Sequence, residues 1–156
     1  EKSLRLALRV YALTPARVDT SNYVRALLLI AGSKGLLAQH NGVLAKLAHG
    51  KGAYSYLRKA EALQPDSAIV KLGLGSYYLL APAIVRGDID KARDYLTQAL
   101  EKDGLLVEAY IRLAQVYKIK GNRAQYDILL KKALGIDPKN ELAIDIYSGT
   151  CRFVCK

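Results

Sequence analysis

The residue types that do chemistry are few in this chain, and their spacing is wrong for it. Gly50-Lys51-Gly52 offers the lysine of a phosphate loop, but Gly52 stands where a metal-binding Ser or Thr must follow, and Ala45 where the loop needs glycine. The chain contains no H-E-x-x-H, no G-x-S-x-G elbow and no dinucleotide glycine fingerprint. Asp88, Asp90 and Asp94 gather at an expected helix start, where the positive end of the helix dipole stabilises acids without any catalytic role. His40 and His49 match no zinc-site spacing and read as surface or packing residues. Cys151 and Cys155 are four apart at the C-terminal end. On a helix that spacing puts their Cα atoms about 6 Å apart, so a disulfide, which implies export, and a free thiol pair both stay open. The expectation is a non-enzymatic protein with no metal and no cofactor.

What the chain does have is helical spacing. Tyr110, Leu113, Ala114 and Tyr117 fall at i, i+3, i+4 and i+7, one stripe of an α-helix. Leu129, Leu130, Ala133 and Leu134, at i, i+1, i+4 and i+5, share one helix face after Gly121-Asn122, which suits a helix stop followed by a helix cap. Pro138 ends the second helix near Asp137, because a residue before proline avoids the α region. Two amphipathic helices facing each other, with alanines allowing close approach, are the predicted unit.

The stretch Val107 to Pro138 resembles a tetratricopeptide repeat (TPR) at its aromatic, leucine, small-residue, turn and closing-proline positions. Tyr126 departs from that pattern, standing where alanine is usual, so this pair is expected to splay or tilt. A second copy lies upstream: Leu74-Gly75 and Tyr78, then Gly87-Asp88, then Ala92 and Ala99, with Gly104 in the closing position. Pro65 to Gly104 is 39 residues and Gly104 to Pro138 is 34, so this copy holds five extra, Ala81-Pro82-Ala83-Ile84-Val85. Pro82 cannot continue a helix that needs its N–H, so a break or bulge is expected there, serving as a plug for the core or as part of a binding site.

Toward the N-terminus the pattern fades. Ala53, Leu57 and Ala60, closed by Pro65, fit the second helix of a unit, while Asn22 to His49, interrupted by Gly32, Gly35 and Gly42, reads as one kinked helix or two shorter ones. Leu4, Leu8 and Tyr11 form an apolar stripe opposed by Lys2, Arg5 and Arg9 and stopped at Thr14-Pro15; Leu142, Ala143 and Ile146 look like a terminal helix covering the end of the stack. The fold expected is all-α, a TPR-like solenoid of about nine helices forming one domain. Its parts are degenerate helices over 1–67, a repeat with insertion over 68–104, a consensus-like repeat over 105–138, and a capping helix with tail over 139–156.

Composition fits such a domain: 51% apolar and 24% charged residues in 156. The longest apolar run, Ala26 to Ala31, is far short of the roughly 20 residues that span a bilayer. With no initiator Met and no leader, the chain reads as a processed form or a piece missing its ends. The net charge of +10 is uneven, since residues 1–60 hold ten Lys or Arg against two acids. That surplus of eight suits a solvated basic face or an anionic surface, and a membrane-proximal N-terminus is favoured over nucleic acid because no base-reading module is present.

The TPR resemblance implies that the first helix of each pair lines a concave groove. Carried onto this chain, the groove positions are Ile69, Leu72, Gly73, Ser76 and Leu79 in one repeat and Glu108, Ile111, Arg112, Gln115 and Lys118 in the next. Only Arg112 fits the cationic clamp that some TPR modules use for a C-terminal carboxylate. The function implied is a scaffold that binds another protein or a peptide segment, and self-association is compatible with it. The stretch Tyr77 to Ala92 also resembles exported bacterial TPR lipoproteins of the TatT type associated with TRAP transporters. That resemblance implies a periplasmic or membrane-anchored protein of a transport system handling a partner or a small amphipathic acid; a cytoplasmic location is the alternative.

Overall fold

A computed structural model of the chain describes residues 2–16, 19–40 and 43–150, with side chains described at all of these except 39, 40 and 43–46. Among them run eight α-helices: α1 (Lys2–Leu13), α2 (Thr20–His40), α3 (Val43–Leu63), α4 (Ala68–Leu80), α5 (Ile89–Lys102), α6 (Val107–Ile119), α7 (Arg123–Ile136) and α8 (Glu141–Ser148). A 3-10 turn at Ala83–Val85 separates α4 from α5. The count agrees with the all-α solenoid of about nine helices that was expected. Gly32 and Gly35 do not interrupt α2, which runs unbroken over 21 residues, and the segment from Val43 belongs to the helix that follows. A glycine inside a helix costs only about 1 kcal/mol relative to alanine, less than α2 gains by packing along α3.

The helices pair as α2 with α3, α4 with α5, and α6 with α7, while α1 packs on α2 and α8 on α7. Helix α4 also touches both α2 and α6, so the first helices of the three hairpins form one continuous row. The layer closes over Leu27, Leu74, Leu96, Ile111 and Leu130, none of which reaches solvent. Ala60, Ala92, Ala99, Ala114 and Ala133 are equally buried where backbones come together. The helix starts are capped as the sequence requires. Asp88 accepts from the backbone N–H groups of Asp90 and Lys91, Asn122 from that of Gln125, and Asn140 from that of Ala143, each at 3.1 Å. Gly121 takes the left-handed conformation (φ 74°) between α6 and α7.

One local expectation comes out differently and two are sharpened. In α1 the buried residue is Ala7, with Leu4 and Tyr11 on its side, whereas Leu8 stays exposed. Tyr126 fits the alanine slot by reaching through it: the ring is buried and its hydroxyl donates to the carbonyl of Ile146 in α8 at 3.2 Å. Helices α6 and α7 still share an extensive contact. The insertion does two jobs. Pro82 ends α4, and Val85 is buried with its side chain 3.4 Å from the position a Cβ of Gly50 would occupy, making it a plug into α3. Tyr77 donates to the Val85 carbonyl at 2.5 Å and lies 3.2 Å from that of Gly50. A Cβ on Gly87 would fall 1.9 Å from the Ala81 carbonyl oxygen, so only glycine closes this turn. Cys151 and Cys155, with the disulfide question they raise, and Gly42 lie outside the described residues.

Candidate functional site

The row of α2, α4 and α6 carries a cavity of about 510 Å³. Helix α2 supplies Leu28, Ala31, Gly32, Gly35 and Leu36 to its wall, and α3 supplies Gly50, Ala53 and Leu57. Helix α4 contributes Ile69, Leu72, Gly73 and Ser76, and the insertion closes one side with Pro82 and Val85. The insertion is therefore plug and wall together. Among the described residues, Glu108 and Arg112 of α6 are the only charged ones in the lining.

Arg112 is only 7% exposed. Its Nη1 donates to Gln115 Oε1 at 3.1 Å and its Nη2 to Glu108 Oε1 at 3.5 Å. Burial lowers the guanidinium pKa, since a desolvated cation is disfavoured, and the Glu108 carboxylate opposes that shift. Glu108 is half exposed, so screening by water weakens its compensation of the buried charge. Ser76 Oγ is shielded from solvent and finds no hydrogen-bond partner in the protein. The arrangement can hold a group that is apolar over most of its length and accepts hydrogen bonds at one edge. Among the described residues the wall pairs no nucleophile with a base, and no cluster of three or more His, Cys, Asp or Glu gathers to hold a metal.

Of the residues expected to line the groove, Ile69, Leu72, Ser76 and Arg112 meet in the cavity wall. Leu79, Ile111 and Gln115 do not: each is fully buried inside the helix layer, so their side chains serve packing or, for Gln115, the bond to Arg112. Lys118 is exposed, with its ammonium 5.9 Å from the Tyr126 ring centre, away from the cavity. The α2 side, Leu28, Gly32, Gly35 and Leu36, was missed because the degenerate first unit gave no register. The available signal was the pair of glycines three apart in an otherwise apolar helix. The side chain of His40 lies outside those described; His49 is partly buried in α3.

Tyr77 of the cavity wall joins Tyr54, Tyr78 and Tyr95 in a connected ring cluster with centroids 5.4 to 6.1 Å apart, tying α3, α4 and α5 together. Burial pushes the phenols of Tyr77, Tyr78 and Tyr95 up from their ordinary value. Lys71 pairs with Glu61 at 3.2 Å and lies over Tyr95. These contacts fix the α4 wall from its far side.

The family model described as "Tetratricopeptide repeat" matches residues 107–140. The crystal structure of a thermophilic TPR protein from Thermus thermophilus is similar over 94% of this chain and 70% of its own, with TM-score 0.74 and 24% identity. The fold is that of a TPR-like helical solenoid. The TPR fold is shared with MamA, at TM-score 0.59 and 21% identity over 94% of this chain and 76% of MamA. It is shared also with YrrB, described as a TPR protein with an unusual peptide-binding site, at TM-score 0.57 and 21% identity over 93% of this chain and 73% of that one. No curated protein is significantly similar in sequence. TPR-repeat proteins are in general non-enzymatic scaffolds.

Proposed function

We propose that this protein is a non-enzymatic scaffold that receives a segment of another protein along α2, α4 and α6, with bulky apolar side chains seated in the cavity. The observation that carries the reading is the cavity itself: an apolar recess on the inner row of a TPR-like solenoid, rimmed by Ile69 and with the buried Arg112 at its α6 edge. YrrB, which shares the fold, has a peptide-binding site, and that supports a peptide as the class of partner. A single arginine does not make a multi-cation carboxylate clamp, so the contact rests mainly on apolar burial.

Ile69 is 54% exposed, so a charge there is compatible with folding. Affinity capture from the source cell with the wild-type chain and with Ile69→Asp should recover a partner only with the wild type, and the recovered protein, purified, should bind the wild type alone. Equal binding by a variant with an unchanged circular dichroism spectrum removes the reading.

The same proposal takes the protein to be bacterial and exported, resting beside a membrane by its N-terminal third. Support comes from the surplus of eight positive charges in residues 1–60 and from α1, where exposed Leu6, Val10 and Leu13 are flanked by Lys2, Arg5 and Arg9. No helix among the described residues is long and apolar enough to cross a membrane. Co-sedimentation with phosphatidylglycerol vesicles that is absent with phosphatidylcholine, together with cell fractionation, tests it; recovery in the cytosolic fraction with no vesicle binding overturns it. A second reading, a ligand-handling component of a transport system, is favoured by the size of the cavity.

A further inference from the structure

We propose that the inner-face cavity binds a small aliphatic monocarboxylate, its chain against α2, α3 and α4 and its carboxylate facing Arg112 and Ser76. This rests on the ligand-handling reading and deepens it, because it gives the cavity an occupant of its own of stated chemistry rather than a side chain of a docked protein.

Size is the first argument. A volume of about 510 Å³ falls in the range of roughly 300 to 1,000 Å³ typical of small-molecule sites, more than one anchored side chain needs.

The second is the placement of Gly32 and Gly35. Each sits within α2 on the cavity wall, and a Cβ added to either would meet nothing within 4 Å. Gly73 and Gly75 have a packing reason, with Leu57 and Leu96 respectively at 3.0 Å or less from such an atom. Gly32 and Gly35 have none, yet each forgoes about 0.5–1 kcal/mol of helix stability relative to alanine. What their bareness leaves is room in the cavity.

The third is where the polarity lies. The α2 and α3 walls are apolar at Leu28, Leu36, Ala53 and Leu57, and charge enters only from α6. Arg112 is more than nine-tenths buried, with a planar fork of donors that matches a carboxylate, and Ser76 Oγ adds a shielded hydroxyl. Among the described residues the wall holds one guanidinium and no ammonium, which suits a single negative charge. Glu108, half exposed, disfavours a dianion and keeps its own carboxylate in contact with water. An amine gains nothing beside the buried cation, and an alcohol gains little.

The test is isothermal titration calorimetry and native mass spectrometry of the whole chain with dodecanoate, dodecanol and dodecylamine, each below its micellar concentration. Dodecanoate should bind one to one, about 10-fold or more tighter than the alcohol or amine, the difference expected from one charge-assisted contact. Gly32→Leu, whose Cβ meets nothing within 4 Å, should fill the cavity and abolish binding while leaving the thermal midpoint unchanged or higher. Arg112→Gln should weaken dodecanoate about 10-fold and leave dodecanol unaffected. Absence of dodecanoate binding, equal binding of dodecylamine, or undiminished binding by Gly32→Leu overturns the proposal. If Arg112→Gln fails to fold, Gly32→Leu decides alone. A chain that captures a protein partner but no acid keeps the scaffold reading and loses this one.

Discussion

Gly75 of α4 lies so close to Leu96 of α5 that a Cβ added to the glycine would sit 2.6 Å from Leu96 Cγ and 3.2 Å from its backbone nitrogen. Because the second of these neighbours is backbone, a rotamer change alone cannot relieve the clash. Gly75→Ala should therefore lose stability by about 1–3 kcal/mol through overpacking, even after the gain of up to about 1 kcal/mol in helix propensity. Urea unfolding followed by circular dichroism measures it. A midpoint equal to or above that of the wild type would show that the two helices separate at little cost.

Tyr126 reaches from α7 to the Ile146 carbonyl of α8. Tyr126→Phe keeps the buried ring and removes only that bond, so the expected loss is about 0.5–1.5 kcal/mol. Hydrogen exchange should show faster exchange confined to the α8 amides. Uniform acceleration across α6 and α7 would instead make the hydroxyl part of the whole hairpin's stability.

Burial raises the phenol pKa values of Tyr77, Tyr78, Tyr95 and Tyr126, that of Tyr78 most strongly, with its hydrogen bond to Tyr54 contributing second. An unfolded tyrosine ionises near about 10, so above that pH the unfolded chain releases protons that the folded chain retains. The stability these groups contribute is complete below pH of about 10 and is lost as pH rises toward the folded values. Unfolding midpoints measured between pH of about 9 and 11 should fall, and Tyr78→Phe should make the fall shallower. A slope unaltered by the substitution would assign alkaline loss to lysine deprotonation instead.

The last hairpin was legible in the sequence because Tyr110, Leu113, Ala114 and Ala133 announce helix spacing through their own side chains. The first was not, because its distinguishing residues, Gly32 and Gly35, act through what they lack, and a missing side chain carries no periodicity. The cavity was half legible for the same reason. Counting along α4 and α6 found Ile69, Leu72, Ser76 and Arg112, but it ran too far and took Leu79, Ile111 and Gln115 for surface. The depth to which a neighbouring helix covers a stripe depends on how the hairpins nest, and that is set by distant pairs such as Gly75 with Leu96. The insertion, recognised as a surplus of five, could not be assigned to core or wall because Val85 belongs to both.

Tyr77 and Val85 bolt the second hairpin to Gly50 of the first, across the joint under the cavity floor. Solenoids flex by small rotations between successive units, and a crosspiece spanning one joint stiffens that joint selectively. The next boundary, between α5 and the end of α6, is crossed instead by an exposed ion pair, Lys120 with Asp90 at 2.5 Å, and such a pair weakens as salt screens it, so rising ionic strength loosens that joint before the braced one and frees the helix that carries Arg112.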